Sequence, residues 1–553
     1  MDNSFTRNEK LALAFFGVLI FISYLFDLNG NDVWTMVESY YVEAVREMWE
    51  RNNFIEVYYN YELRFNKPIM TYWLVLASSA VFGISEFAAR LPIALAGLGA
   101  IALTYGIGNM LDGKRYGVIA AMVMAFSLQF LINTRSAVPA VPLTFFFTLT
   151  MYFFVKAYHQ NKPNYYYLSY IALGLTILTK GFPYLIVIGG IIIIFIFINS
   201  KYKFGPFFKK ILGLKMHIGI PIAALIGMSW LAYMYFLHKE AVTEVVAFET
   251  VERAFTREDG GFKPFFYLEA NSWGFLPYSL AFYIGLIYLF ANRFRDFDRS
   301  VSLQLGFAWF ITMLIIFTTA RGKIPTYFIQ CHPGMSLFTA YFVVELFDKT
   351  KWRNVFKGSY WLTGVVLSVG GVLLLTQFPS NPFLYALPVI PWAALALGYW
   401  KNISLLKVNS LPFSTLAITY ILFLMVVVPF MENGYRNHDL IGNAILEQVP
   451  DKEIPLLAED YFTWNLPYYA QRRTIEEYPK EQILEYSKNY DVLALVRKEN
   501  LEFYGNPKII WEGLVYTGSE TQVFNFVSDM VKQSKGEKTK FKDFCVIYIP
   551  KRG

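Results

Sequence analysis

The sequence is poor in charged residues and contains very little cysteine. Only 16% of its 553 residues are Asp, Glu, Lys or Arg, whereas 55% are hydrophobic and 19% are aromatic. This balance excludes an ordinary soluble protein. The two cysteines, Cys331 and Cys545, are too few and too far apart for a disulfide framework or a zinc knuckle.

Familiar motifs of nucleotide and metal sites are also missing. The chain has no Walker loop, no GxGxxG before a strand, no HExxH and no His/Cys metal spacing. A net charge of +7 would suit nucleic acid, but the basic residues lie mostly in short loops between apolar runs, where they act as topology signals. We therefore predict no nucleic-acid partner.

Apolar runs of membrane-crossing length dominate the chain up to residue 432. The first run lacks a small-residue cleavage site, so we predict a retained anchor and not a signal peptide. The candidate spans are residues 11–26, 91–110, 116–133, 141–157, 166–179, 183–199, 215–237, 274–292, 304–320, 326–347, 360–377, 382–400 and 413–431.

One further apolar run, residues 69–84, decides the topology. If this run lies in the membrane interface, every strongly basic loop faces the cytoplasm, as the positive-inside rule requires. If the run crosses the membrane, all of those loops face the opposite side. The rule therefore favours thirteen spans and an interfacial segment at 69–84. The loops concerned are residues 111–115, 200–214, 293–299, 348–358 and 401–407.

This topology places two loops, 27–68 and 238–273, and the tail from 433 to 553 on the outer side. The first loop contains a predicted amphipathic helix at 37–49. The tail alternates strand-like runs (455–458, 491–496, 545–549) with helical ones (481–488, 520–532). That alternation predicts a small α/β domain at 433–553, beside a membrane domain at 1–432.

Basic residues are rare in the outer segments, and the exceptions lie close to predicted membrane boundaries. Cations from separate segments near one membrane surface suggest a polyanionic ligand with a lipid tail, such as a lipid phosphate. The alternative is that they are boundary residues whose side chains reach the headgroups. Pro68 and Gly181, which follow Lys67 and Lys180, fix the backbone there and favour the ligand-binding interpretation.

Acids and aromatic residues complete the candidate site. A transferase that activates a hydroxyl acceptor needs a carboxylate base, and Glu38, Asp32 and Glu62 in the first outer loop are candidates. Glu38 also suits the start of a helix, so a purely structural role stays open. Aromatic residues such as Tyr59 and Phe65 could stack on a sugar, or simply belong to an interfacial belt.

Several motifs resemble a known family. "REM" at 46–48, "FNKP" at 65–68 and "EFAARLP" at 86–92 resemble the first periplasmic loop of bacterial GT-C glycosyltransferases. These are enzymes related to lipid A aminoarabinose transferase and, more distantly, to protein O-mannosyltransferases. "TKG" at 179–181, "FETVERAF" with Arg253, and "KIPTY" at 323–327 resemble later motifs in matching order.

The departures from the family pattern concern acids. Val37, Asn66 and Ala137 stand where typical relatives keep Asp, Glu and Asp. Either Glu38, with Asp32 or Glu62, supplies the carboxylate, or the substrates differ.

The resemblance implies a polytopic α-helical GT-C membrane protein of about 13 transmembrane helices with an outer α/β domain. It implies a glycosyltransferase in a bacterial inner membrane, with its active site facing the periplasm. The donor would be a polyprenyl (undecaprenyl) phosphate sugar and the acceptor a lipid of the lipid A kind, with inversion at the sugar. A protein O-glycosyltransferase with the same donor, or a lipid-linked sugar transporter, is the alternative. A transporter would need charged residues along a path through the spans, and the predicted spans contain no such path.

We predict no required cofactor, although a divalent ion could do the same electrostatic work as two aligned cations. The predicted site comprises Glu38 and Asp32 as catalytic acids, Lys67, Lys180, Arg253, Lys323, Arg64 and Arg135 as donor-phosphate ligands, and Glu62, Phe65, Tyr59 and Tyr327 as substrate contacts.

Overall fold

The fold is known from a computed structural model. It describes residues 7–33, 35–246, 263–320, 322–345, 353–378, 382–390, 405–459, 464–505, 507–518 and 523–551. The predicted ligand Arg253 lies outside these residues.

Helices make up almost all of the described chain up to Glu432. Apolar composition and few internal breakers account for their lengths, and Ser85 caps one of the longest by accepting a hydrogen bond from the Ala88 N–H. The helices are α1 (Arg7–Leu25), α2 (Met36–Glu50), α3 (Met70–Phe82), α4 (Glu86–Leu111), α5 (Lys114–Ala125), α6 (Leu128–Asn133), α7 (Ala140–His159), α8 (Tyr165–Lys180), α9 (Pro183–Asn199), α10 (Phe204–Leu212), α11 (Met216–Leu237), α12 (Lys239–Val246), α13 (Phe266–Gly274), α14 (Ser279–Ala291), α15 (Val301–Thr319), α16 (His332–Glu345), α17 (Arg353–Leu375), α18 (Leu405–Leu422) and α19 (Val428–Glu432).

Membrane-spanning character is evident in this set. Five segments of the described chain are long and apolar enough to cross a bilayer: Glu86–Leu111, Ala140–His159, Met216–Leu237, Val301–Thr319 and Phe413–Glu432. Helix α3 has only 13 residues, which rise about 20 Å, well short of a hydrocarbon core of about 30 Å. Helix α14, inside the predicted span 274–292, also has 13 residues, so length alone does not separate an interfacial helix from a crossing one. The interfacial placement of residues 69–84 and the count of thirteen spans both stay predictions.

Small residues allow the membrane helices to pack closely. A Cβ added at Gly108 of α4 would lie 2.9 Å from the Cα of Gly117 in α5, so the two backbones touch there. His332 lies at the start of α16, fully buried, with its Nδ1 2.9 Å from the Ser127 hydroxyl. That hydrogen bond engages Nδ1, whereas Nε2 is buried without a hydrogen-bond partner among the described residues.

Beyond Glu432 the described chain forms a mixed sheet covered by helices. The strands lie in the order β4 (Thr474–Ile475), β3 (Leu456–Ala458), β5 (Val492–Arg497), β7 (Phe541–Ile549) and β6 (Lys508–Tyr516). Strand β3 is parallel to both β4 and β5, and β7 is antiparallel to β5 and β6. The predicted strand-like runs 455–458, 491–496 and 545–549 overlap observed strands, and the helical runs 481–488 and 520–532 overlap observed helices, with residues 520–522 outside the described part of the chain. The strands Thr474–Ile475 and Lys508–Tyr516 were not predicted. In chain order these are α20 (His438–Gln448), β3 (Leu456–Ala458), α21 (Leu466–Ala470), β4 (Thr474–Ile475), α22 (Lys480–Tyr486), β5 (Val492–Arg497), β6 (Lys508–Tyr516), α23 (Val523–Ser534) and β7 (Phe541–Ile549); the first outer loop carries the hairpin β1 (Tyr58–Tyr59) and β2 (Glu62–Leu63).

The α/β part packs directly on the first outer loop. The Tyr469 hydroxyl donates to Glu86 (2.8 Å) and accepts from the Val33 N–H (2.8 Å). The Asn60 side chain exchanges two hydrogen bonds of 2.8 Å with the backbone of Thr474. These contacts fix the loop between the bundle and the sheet.

An interfacial α3 makes a topological prediction. Ile55 and Ile84 flank this helix and are exposed, so Ile55→Cys and Ile84→Cys should both react with a membrane-impermeant maleimide added outside intact cells. Lys114→Cys and Lys209→Cys, at the other end of the bundle, should react only after permeabilisation. Both native cysteines are buried, so the parent protein serves as the background control. Reaction of Ile55→Cys and Ile84→Cys from opposite sides would show that α3 crosses the membrane.

Candidate active site at the outer end of the bundle

A buried ion pair between Glu38 and Arg90 lies at the outer end of the bundle. Thr35 caps α2 by accepting from the Glu38 N–H (3.1 Å), which starts the helix with the Glu38 side chain directed inward. Arg90, in the first turns of α4, donates from Nε to Glu38 Oε1 (2.8 Å) and from Nη2 to Oε2 (3.3 Å). The Ala137 N–H also donates to Oε1 (2.9 Å). Glu38 therefore joins three separate segments.

Arg90 also holds the backbone that leads into α2. Its guanidinium donates to the carbonyls of Leu28 (2.9 Å), Asn31 (2.7 Å) and Asp32 (3.0 Å). Arg436 reaches the same backbone from the other side, with bonds to the carbonyls of Val33 (2.7 Å) and Asp32 (3.3 Å). Both arginines are 1% exposed. We refer to residues 28–33 with Arg90 and Arg436 as the arginine clamp.

The other two predicted acids contact the α/β part of the chain. The Asp32 carboxylate lies 3.5 Å from His438 Nδ1 and accepts from the Asp439 N–H (3.3 Å). Burial raises the pKa of Asp32, but the His438 hydrogen bond and the Arg436 charge outweigh it and leave that pKa below its usual value. Glu62 is exposed and pairs with Arg473 at 3.0 Å. Both positions favour a docking role for these acids.

Arg64 lies in a cage of tyrosines. Its guanidinium carbon is 3.5 Å from the centroid of the Tyr40 ring and 5.9 Å from that of Tyr59. The Tyr59 hydroxyl donates to the Trp464 carbonyl (2.7 Å), which ties the cage to the α/β part. The next residue, Phe65, is buried, and its ring centroid lies 5.5 Å from that of His238.

Lys67 and Lys180 border one aromatic and apolar cluster. This outer cluster joins Phe65, Ile69 and Tyr72 with Leu178, and its remaining buried members are Val33, Tyr41, Val42, Ala44, Val45, Met48, Val57, Val75, Ala89, Ala137, Trp230, Met234, Val242 and Tyr468. Lys67 lies between Phe65 and Ile69 in the chain, and Lys180 ends α8 two residues after Leu178. Chain connectivity thus places both lysines at the same end of the bundle.

Tyr327 lies near Lys180 and belongs to the same segment as Lys323. Lys180 Nζ lies 5.1 Å from the Tyr327 ring centroid. Lys323, four residues earlier, donates to the Ala320 carbonyl (2.6 Å). Partial burial, together with the neighbouring charge of Lys263, lowers the pKa of Lys323. Lys180, Lys263 and Lys323 therefore belong to one outer region.

The Arg135 guanidinium binds the backbone just after the end of the first helix. Its two terminal nitrogens donate to the carbonyls of Phe26 (2.5 Å) and Asp27 (2.6 Å). These bonds satisfy carbonyls just past the end of α1. The position favours an anchoring role for Arg135 over phosphate binding.

Several ionic groups of this region, buried or half-buried, have no role predicted from the sequence. Arg436 and the pair of His238 Nε2 with Glu56 Oε1, 2.5 Å apart, were not among the candidates. Arg90 was noticed only as an outer cation within "EFAARLP". A buried charge must be paired, so a lone arginine inside an apolar run was the one signal that could have found Arg90.

A second ionic network lies along α2. Arg46 pairs with Glu43 through bonds of 2.7 and 2.8 Å, and Glu47 accepts from the Tyr61 N–H (2.9 Å). The Glu43 and Glu47 side chains are fully buried. Burial, and then the adjacent charge of Glu43, raise the pKa of Glu47 to about 7. Within the described residues, no group of three or more His, Cys, Asp and Glu side chains could hold a metal ion.

Comparisons with known proteins find similarity in sequence and in fold. The family model described as dolichyl-phosphate-mannose-protein mannosyltransferase matches residues 66–233. A protein of unassigned function from Aquifex aeolicus (strain VF5) is 29% identical over 543 residues, which is 98% of this chain and 99% of that protein.

Two further matches carry descriptions. The undecaprenyl phosphate-alpha-4-amino-4-deoxy-L-arabinose arabinosyl transferase of Yersinia pestis (strain Pestoides F) is 26% identical over 353 residues, 62% of this chain and 60% of that protein. The crystal structure of ArnT from Cupriavidus metallidurans bound to undecaprenyl phosphate has a TM-score of 0.75 at 16% identity, covering 98% of both chains.

These matches indicate a glycosyltransferase built on a helical membrane bundle. The chain is similar to enzymes of the aminoarabinose transferase and protein mannosyltransferase type, and its fold is similar to that of ArnT.

The Glu38–Arg90 pair yields a stability prediction. Glu38→Ala and Arg90→Ala each leave a buried charge without its main partner, so each should cost about 3–5 kcal/mol. Glu62→Ala, which removes an exposed pair, should cost at most about 1 kcal/mol. Thermal unfolding in detergent, followed by the monodisperse fraction, measures the difference. Unfolding of Glu38→Ala no earlier than that of Glu62→Ala would contradict a structural role for the pair.

The raised pKa of Glu47 yields a pH prediction. Because its folded pKa of about 7 exceeds the ordinary value of about 4.3 for a glutamate, the folded protein binds more protons between these values, and stability falls as pH rises through that window. This group should lower stability by about 1–3 kcal/mol between pH 5 and pH 8.

Glu47→Gln should remove that part of the pH dependence, whereas Glu62→Gln should keep it. Denaturation profiles at pH 5 and pH 8 compare the two variants. An unchanged pH dependence in Glu47→Gln would contradict the assignment.

Proposed function

We propose that this protein transfers a sugar from a polyprenyl phosphate donor to a lipid acceptor at the outer, periplasmic face of a bacterial cytoplasmic membrane. The observation that carries the proposal is the set of lysines, Lys67, Lys180 and Lys323, on three separate segments at one end of the bundle. The donor class also has support from the relatives, since the Yersinia protein is described as acting on an undecaprenyl phosphate sugar.

The lysines suit a leaving lipid phosphate. When the acceptor oxygen forms its bond to the anomeric carbon, the bond from that carbon to the phosphate oxygen breaks. The electron pair stays on the phosphate, whose negative charge grows. Cations already held in place lower the barrier to that step because they need no reorganisation. Attack from the face opposite the phosphate inverts the anomeric centre.

Aromatic and apolar neighbours restrict the positions of the proposed phosphate-binding lysines. Lys180 lies against the Tyr327 ring, and a cation facing an aromatic ring in a partly dry site is electrostatically stabilised. Phe65 and Ile69, on both sides of Lys67, are buried in the outer cluster. The backbone that carries Lys67 therefore has a defined position. Arg64, caged by Tyr40 and Tyr59, is a weaker candidate for the phosphate because its guanidinium already contacts those rings.

The acids indicate the kind of acceptor. Both oxygens of Glu38 accept hydrogen bonds from Arg90, so proton removal by Glu38 would have to disrupt the pair. A phosphate acceptor, as in a lipid A-like glycolipid, brings a nucleophilic oxygen that needs no base. The placement of Glu38 therefore favours an orienting role and a phosphate-bearing lipid acceptor.

A protein acceptor is the second candidate. The match to the mannosyltransferase family model at residues 66–233 favours it. A Ser or Thr hydroxyl would require a base, and Glu38 would have to supply it.

The predicted activity is tested by incubating purified protein in vesicles with a polyprenyl phosphate sugar labelled in the sugar. Lys67→Ala and Lys180→Ala should each slow the release of polyprenyl phosphate about 10- to 100-fold, since a hydrogen bond to a charged group contributes about 1.5–3 kcal/mol. Lys203→Ala and Lys209→Ala make the same charge change at the other end of the bundle and should act as the unaltered protein does.

Three outcomes separate the candidate functions. Transfer to a lipid A-like acceptor that survives Glu38→Gln, scored on the folded fraction, supports the proposal. Transfer to Ser/Thr peptide that Glu38→Gln abolishes identifies a protein glycosyltransferase instead. Movement of label across the vesicle without release of polyprenyl phosphate identifies a transporter and contradicts the proposal.

A further inference from the structure

A groove lies on the bundle surface between α1 and the α4–α5 pair, away from the candidate active site. It has a volume of about 440 Å³. Phe16 and Met122, both buried, form its floor, and Leu13, Ile20 and Val118 line its sides. Gly17 leaves the groove open, because a Cβ added there would meet no atom within 4 Å. The groove is thus an apolar channel open to the membrane.

Positive charge is concentrated at one end of this groove. Lys10 of α1 and Lys114, the first residue of α5, both line it. Glu9, on α1 near this end, pairs with Arg115 at 3.7 Å. Tyr105 also lines the groove.

The charged end lies opposite the candidate active site. Helix α4 carries Arg90 near its start and runs for 26 residues before the turn to Lys114. That length corresponds to about 39 Å of helix. Lys10 therefore belongs to the face of the membrane away from Glu38 and Lys67.

The dimensions match one leaflet of a bilayer. Lys10 and Ile20 are ten residues apart on α1, which corresponds to about 15 Å along the helix axis. This is half of a hydrocarbon core of about 30 Å. An acyl chain that begins at the level of Lys10 would end near the middle of the membrane at Ile20.

We propose that this groove is a binding site for an anionic phospholipid of the leaflet opposite the active site. One acyl chain lies over Gly17 between α1 and α5, and the lipid phosphate lies between Lys10 and Lys114. Basic side chains at a membrane surface attract anionic headgroups, and the apolar channel beyond them holds the chain. The site is independent of the proposed sugar transfer.

Two variants and two matched controls test the site. Gly17→Leu places an apolar side chain in the groove at a position where an added Cβ meets nothing within 4 Å, and Gly189→Leu on α9, where the same holds, is its control. Lys10→Gln/Lys114→Gln removes the headgroup contacts. Lys203→Gln/Lys209→Gln makes an equal charge change at two exposed lysines outside the groove, Lys203 directly before α10 and Lys209 within it.

The measurement is retention of dioleoyl phosphatidylglycerol, against dioleoyl phosphatidylcholine, by the purified full chain in native mass spectrometry. The unaltered protein should retain phosphatidylglycerol preferentially. Gly17→Leu and the Lys10/Lys114 double variant should each lower that retention about tenfold, with both controls unchanged.

Two results would overturn the proposal. One is equal retention of the two lipids by the unaltered protein. The other is a loss in Lys203→Gln/Lys209→Gln or Gly189→Leu as large as that in the groove variants, since it would indicate a general surface effect.

Discussion

The buried ion pair between Glu38 and Arg90 is the constraint on which the outer end of the bundle depends. Two charges taken out of water are stable only if they are paired and their remaining hydrogen-bonding groups are satisfied. Here the remaining donors of Arg90 are used by three backbone carbonyls, and Glu38 also accepts from the Ala137 N–H. The same interactions that compensate the buried charges therefore fix α2, α4 and the turn at Ala137 in one arrangement.

The arginine clamp extends that arrangement to the α/β part of the chain. Arg436 binds the backbone at residues 32–33 from the far side, and Asp32 contacts His438 and Asp439. The first outer loop is thus held by charged groups on both sides. A loop fixed in this way can present Lys67 to a lipid phosphate in a constant position, which is the preorganisation that stabilisation of a leaving group requires.

Local patterns were sufficient for much of the fold. The apolar runs predicted the five segments of the described chain that are long enough to cross a membrane. Alternation in the tail predicted β3, β5 and β7 but not β4 or β6. The interfacial position of residues 69–84 stays a prediction. Each of these signals is carried by neighbouring residues or by simple counts of charge. The description of Arg253 as a phosphate ligand stays a prediction, because it lies outside the described residues.

Contacts between residues that are far apart in the sequence could not be predicted from local patterns. Glu38 and Arg90 are 52 residues apart, and Asp32 and His438 about 400, so no local periodicity connects them. Asp32, Glu62 and Arg135 were grouped with the site because they are polar residues of outer segments. Their positions depend on how the α/β part docks and how α1 ends. Val37 and Ala137, where relatives keep acids, left Glu38 as the main carboxylate, and its pairing became evident only with the fold.

The central claim is that a polyprenyl phosphate binds at the outer lysines, and electron cryo-microscopy of the protein with polyprenyl phosphate in nanodiscs tests it most directly. The account predicts phosphate density within hydrogen-bond distance of Lys67 and Lys180, on the same side of the membrane as Glu38. Phosphate density at the opposite end of the bundle, or none at the outer lysines in saturating lipid, would contradict it.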